Sequence, residues 1–136
     1  MKKTGHVMIL ASAGSGKTYA LTNRYIALLA GGAAPERIVA LTFTRKAAGE
    51  FFDEILKKLA GAAGDATTAA QLARSVGADG LGPAVFLRLL RAVVDAMPRL
   101  CLGTLDSFFT RIVRGFPLEL GLGGEFALLE LSLIHI

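Results

Sequence analysis

The segment ASAGSGKT, from Ala11 to Thr18, holds the residue types that bind a triphosphate, in the order that binding needs. Gly14 and Gly16 let the backbone enter conformations closed to residues with a Cβ, so that successive N–H groups turn inward. Those groups and the positive end of a following helix make a cradle for an anion. Lys17 would bring a point charge to the β- and γ-phosphates, and the Thr18 hydroxyl would ligate Mg²⁺. The candidate nucleotide contacts are therefore Ala11, Ser12, Ala13, Gly14, Ser15, Gly16, Lys17 and Thr18, with Lys17 and Thr18 acting on the reaction. ATP and Mg²⁺ are the implied cofactors. The strict pattern opens with glycine where this chain has Ala11; the closest approach to phosphate falls later, at Gly14 to Lys17.

Such a loop must join a strand to a helix, and its flanks fit. Val7 to Ala11 is a short apolar run that reads as a buried parallel strand. From Lys17 to Ala30, Leu21, Tyr25, Leu28 and Leu29 fall on one helical stripe, with Gly31 and Gly32 as the stop. Ile38 to Phe43 is a second β-branched, apolar strand. Thr44 can cap a helix with a stripe of Ala48, Phe51, Ile55 and Leu59, on which Asp53–Lys57 and Glu54–Lys58 are expected i, i+4 pairs.

Residues 60–82 are rich in Ala, Gly and Thr and read as a loose connection with one short helix near Ala69 to Val76. Ala84 to Met97 is a further helix before Pro98, Leu100 to Thr104 a strand, and Ser107 to Phe116 a helix cut off by Pro117. Phe126 to Leu129 reads as the start of another strand. Alternation of strand and helix predicts an α/β fold: a parallel sheet flanked by helices. Residues 1–130 are assigned to that domain, with 60–98 its mainly helical connection. The closing LSLIHI reads equally as an ordinary strand or as a truncation scar or non-native tail, so 131–136 is set apart.

Composition narrows the class. Of 136 residues, 53% are hydrophobic and 19% charged, too apolar for a disordered chain. A net charge of +4 is compatible with a nucleic-acid partner without demanding one. Cys101 is the sole cysteine, so no internal disulfide forms, and His6 and His135 have no ligand-like neighbours in sequence. No apolar run approaches the ~18 residues of a membrane span. A cytoplasmic protein without a membrane partner is expected.

A phosphate loop names a ligand rather than a reaction. Two further segments, VALTFTRKAAGEFFDEI from Val39 and CLGTLDSFFTRIVRGFPLELGL from Cys101, follow the second and third predicted strands. Together with ASAGSGKT they resemble the start of the first motor domain of superfamily 1 DNA helicases of the UvrD, Rep and RecB type. The alanine-first loop is similar to the RecB and AddA branch. TFTRKAA resembles motif Ia and GTLDSFF motif Ib, over residues 6–59 and 100–129 in all. Asp106 stands where that family often has histidine, and Arg45 where asparagine is common.

The resemblance implies the N-terminal part of a RecA-like P-loop NTPase motor domain, in an ATP-driven translocase on single-stranded DNA moving 3′-to-5′. It also implies RecBCD- or AddAB-like complexes, in which the chain has a partner subunit. Its DNA-contacting residues would be Thr42, Phe43, Thr44, Arg45, Lys46, Thr104, Ser107 and Phe108, at the carboxyl ends of two strands, where ligands of open α/β sheets gather. Each has a plainer reading too: Phe43 as core, Arg45 and Lys46 as a solvated helix start, Thr104 and Ser107 as helix caps. Cations at a helix N-terminus oppose its dipole by ~0.3–1 kcal/mol, an arrangement that an anionic track would relieve.

The family's Asp-Glu pair, which holds Mg²⁺ and activates water, has no counterpart; Asp95, Asp106, Glu119, Glu125 and Glu130 do not form an adjacent pair ending an apolar strand. These residues alone are therefore expected not to hydrolyse ATP productively. The alternatives are a P-loop small-molecule kinase or other P-loop ATPase, which leaves TFTRKAA and GTLDSFF unexplained, and a non-catalytic nucleic-acid-binding module.

Overall fold

The computed structural model describes residues 17–116 together with Glu119 and Gly121. The predicted strands Val7–Ala11 and Phe126–Leu129, the loop from Ala11 to Gly16, the side chain of Lys17 and the tail 131–136 lie outside the described residues. Within them the order is α1 (Lys17–Ala30), β1 (Val39–Thr42), α2 (Arg45–Gly64), α3 (Ala66–Ser75), α4 (Pro83–Asp95), β2 (Cys101–Thr104) and α5 (Leu105–Gly115). Short 3₁₀ turns at Pro35–Arg37 and Met97–Arg99 lead into the two strands. β1 and β2 pair in parallel, Val39 opposite Cys101 and Thr42 opposite Thr104. The helices between them form the crossover that a parallel pair requires.

α1 spans the predicted residues and stops as expected. Gly32 takes a φ of 99°, and the N–H groups of Gly31, Gly32 and Ala33 close on the carbonyls of Ala27, Leu29 and Leu28. Its buried stripe is rotated from the predicted one. Thr22, Tyr25, Ile26 and Leu29 face inward, whereas Leu21 is 44% exposed. Thr22 can turn inward because its Oγ1 donates to the Thr18 carbonyl at 2.6 Å, which pairs its own hydroxyl.

The core lies where α1, α2 and α4 meet. Ile26, Ile55, Leu59, Phe86 and Val93 are fully buried, each adding ~1.5–3 kcal/mol by leaving water. Tyr25 meets Phe51 edge-on at 5.9 Å between ring centroids. Its hydroxyl is buried with no hydrogen-bond partner among the described residues, and burial first, then Cys101 and Glu36, pushes the phenol up to about 12.

Residues 60–82 hold the short helix expected near Ala69 to Val76, as α3, but not the loose connection expected before it. α2 continues to Gly64, and Asp65 ends it while starting α3, its Oδ2 accepting from the Thr68 N–H at 2.8 Å and hydroxyl at 2.7 Å. These hydrogen bonds hold the Asp65 carboxyl below its usual range. The small residues that suggest a loose connection are what make the packing: Ala62, Ala69 and Ala73 are buried, so α2 and α3 approach closely. The expected Asp53–Lys57 and Glu54–Lys58 pairs are also replaced. Glu54 meets Lys57 at 3.8 Å, while Lys58 turns towards α1.

No described helix is long and apolar enough to cross a membrane.

Candidate functional site

The site is assembled by two strand ends. β1 and β2 finish in register at Thr42 and Thr104, and each is followed almost at once by a helix, α2 from Arg45 and α5 from Leu105. Two helix N-termini therefore share one rim of the sheet. The Thr44 hydroxyl caps α2, accepting from the Ala47 N–H at 3.1 Å. The Thr104 hydroxyl caps α5, accepting from the Ser107 N–H at 3.1 Å, and lies 2.9 Å from Ser107 Oγ. Thr42 stitches the rim together, its Oγ1 donating to the Thr44 carbonyl at 2.9 Å and reaching the Gly103 carbonyl of the neighbouring strand at 3.5 Å.

The structure decides among the plainer readings. Phe43 is not core: it is 87% exposed, standing off the rim between β1 and α2. Arg45 and Lys46 are exposed in the first turn of α2, which carries no acidic residue. Lys46 meets Glu50 at 3.9 Å, a pair open to solvent on both sides. Thr104 is a cap and is only 7% exposed, while Ser107 is exposed. Phe108 is half-buried, its ring 6.2 Å from that of Phe109. Asp106 sits exposed in the first turn of α5 but does not cap it.

Below the rim a cavity of about 160 Å³ is floored by β2 and walled by Ser107, Phe108 and Arg111. Arg111 Nη1 lies 3.8 Å from Cys101 Sγ, so both side chains meet at this wall.

Of the expected nucleotide site, the described residues include only the start of α1. No acidic side chain occupies its first turn, so an anion at this helix end meets no carboxylate from α1. Thr18 is exposed there.

Sequence reasoning misses the cluster beside that turn. Lys58 of α2 lies 3.9 Å above the centroid of the Tyr19 ring and donates to Asn23 Oδ1 at 2.7 Å. Hydrogen bonding towards Asn23 and Ser75, then the Lys58 charge, draws the Tyr19 phenol below its ordinary value. Partial burial draws the Lys58 ammonium down, against the pull of Tyr19 and Glu54. Lys58 and Asn23 lie 35 positions apart, beyond any local spacing signal.

The UvrD/REP helicase N-terminal domain matches residues 1–133, the loop and both rim segments included. The chain belongs to that family. Among similar proteins, the A subunit of an ATP-dependent helicase/nuclease from Streptococcus sanguinis (strain SK36) is 30% identical over 125 residues, 92% of this chain and 9% of that protein. Its namesake in Streptococcus suis (strain 98HAH33) is 32% identical over 125 residues, with the same shares of each chain. That in Streptococcus thermophilus (strain ATCC BAA-491 / LMD-9) is 27% identical over 124 residues, 91% of this chain and 9% of that protein. The chain thus spans 9% of the length of these relatives. No solved structure matches it. A parallel two-stranded sheet flanked by helices is consistent with part of a UvrD/REP helicase N-terminal domain.

Proposed function

We propose that these residues form the nucleotide-binding and DNA-contacting front of a helicase motor that couples ATP hydrolysis to movement on single-stranded DNA. The observation that carries this reading is the shared rim: Thr42 and Thr104 in register, two helix N-termini side by side, and Phe43 held 87% exposed among them. Ser107, Arg45 and Lys46 offer a hydroxyl and two cations to DNA phosphates, and Phe43 a face for a base. Thr42 and Thr44 order the rim, Thr104 holds Ser107 in place, and Phe108 backs it.

The loop from Ala11 to Thr18 would hold the phosphates of ATP, with Lys17 on the β- and γ-oxygens and Thr18 on Mg²⁺. When bound, the metal neutralises charge developing on the transferring phosphoryl group. The 3′-to-5′ direction rests on the resemblance of the motifs. The relatives are named as one subunit of their enzyme, which supports a partner chain, and a DNA-processing role supports a cytoplasmic setting. With no adjacent acidic pair ending an apolar strand, the 136 residues would bind ATP weakly at best and would not turn it over productively.

The test is Mg·ATP binding by equilibrium dialysis. Lys17→Ala should abolish binding and leave the circular dichroism spectrum unchanged. Unaltered affinity in that variant would remove the loop from the site. Tight binding of a small phosphoryl acceptor, with no affinity for single-stranded DNA at low salt, would point instead to the kinase reading.

A further inference from the structure

We infer that Lys58 is a positioning residue for the nucleotide loop: by gripping Tyr19 and Asn23 it fixes the first turn of α1 against α2. This rests on the nucleotide site proposed above and adds a residue that touches neither phosphate nor DNA.

A phosphate cradle works only if its N–H groups are already aimed, because ordering them on binding subtracts from affinity. The first turn of a helix is the part that frays. In α1 the inward stripe of Thr22, Tyr25, Ile26 and Leu29 anchors the later turns. Tyr19, one residue past Thr18, is 58% exposed and so is not held by burial in the core. A polar contact holds it instead: the Lys58 ammonium lies over its ring at 3.9 Å. Lys58 closes the arrangement by donating to Asn23 Oδ1 at 2.7 Å. The first turn of α1, at Tyr19, and its next turn, at Asn23, are thereby tied to α2 through one ammonium.

The arrangement is a poor one for stability alone. Glu54, four residues before Lys58 on the same helix, would be its ordinary partner, yet Glu54 meets Lys57. Lys58 is half-buried and sets its charge beside the positive end of α1, a placement of like sign that a bound anion would relieve. The same contacts join α1 to α2, the helix whose other end forms the DNA rim.

The experiment compares Mg·ATP affinity in the 136-residue chain for the unaltered protein, Lys58→Met and Lys58→Arg, with thermal melts alongside. Met keeps the stem and drops the charge; Arg keeps the charge, the stacking and a donor for Asn23. Losing a cation–π contact and a charge-assisted hydrogen bond should weaken binding about 3- to 10-fold in Lys58→Met with little change in melting. Lys58→Arg should return to within about twofold of the unaltered chain. Unchanged affinity in Lys58→Met, while Lys17→Ala still abolishes binding, would overturn the inference and leave the nucleotide site standing. So would a loss that Lys58→Arg fails to recover. Should Lys58→Met not fold, Lys58→Gln, which keeps a donor without the charge, is read by the same criteria. ATP affinity surviving in Lys17→Ala would bring down the underlying site rather than the role of Lys58.

Discussion

An aromatic side chain 87% exposed beside two helix N-termini contributes almost nothing to the fold, and Phe43 is such a residue. Its removal should leave stability within about 0.5 kcal/mol, as for surface substitutions away from caps and cores. Its value must therefore appear in binding if the rim meets DNA. Stacking of a base on an aromatic ring is worth ~1–3 kcal/mol by alanine substitution. Phe43→Ala should lower affinity for a fluorescein-labelled oligothymidine by roughly 5- to 150-fold in anisotropy titrations, with an unshifted urea midpoint. Equal affinities in the two proteins would take Phe43 off the track. Sequence alone leaves Phe43 suspended between core and contact, because an aromatic residue ending an apolar strand has the same pattern either way. Only the direction in which β1 ends separates them.

At the scale of elements, caps do double duty. Thr104 ends β2, starts α5 and holds Ser107 through its hydroxyl, all while 7% exposed. Thr104→Ala should cost about 1 kcal/mol in chemical denaturation, the usual loss for an N-cap, and should weaken DNA binding as well by freeing Ser107. Thr104→Ser should recover both. A stability loss with DNA affinity intact would make Thr104 a cap only. Thr44 and Thr104 are readable as caps because a hydroxyl before an apolar helical stripe is a local signal. The end of α1 is readable too, since Gly32 supplies the positive φ that closes it. What stays hidden depends on neighbours far along the chain. The inward turn of Thr22 needs the Thr18 carbonyl, the run of α2 on to Gly64 needs small residues packed face to face with α3, and the choice of Lys58 for Asn23 over Glu54 needs α1 in place. Propensity and periodicity see one element at a time, so they miss each of these.

For the molecule as a whole, electrostatics separates the readings. Fifteen Lys and Arg oppose 11 Asp and Glu, a net charge of +4 that by itself says little about a partner. The placement says more. Arg45 and Lys46 project from the first turn of α2 beside the exposed Phe43, and the Lys46–Glu50 contact is an open pair at 3.9 Å. Such a pair is worth ~0–1 kcal/mol, so a DNA phosphate can displace Glu50 at little cost. Each phosphate neutralised on a single strand releases condensed counterions and contributes about −0.7 to the slope of log K against log salt. Two rim cations therefore predict a slope of roughly −1.4 or steeper, and Lys46→Ala should flatten it by about 0.7. Phe43→Ala should weaken binding at every salt concentration without moving the slope, since stacking releases no counterions. That division, charge in the slope and stacking in the intercept, is specific to a rim that uses both. A flat salt dependence, or a slope untouched by Lys46→Ala, would mean that the cations at the head of α2 face solvent and that DNA, if bound, lies elsewhere.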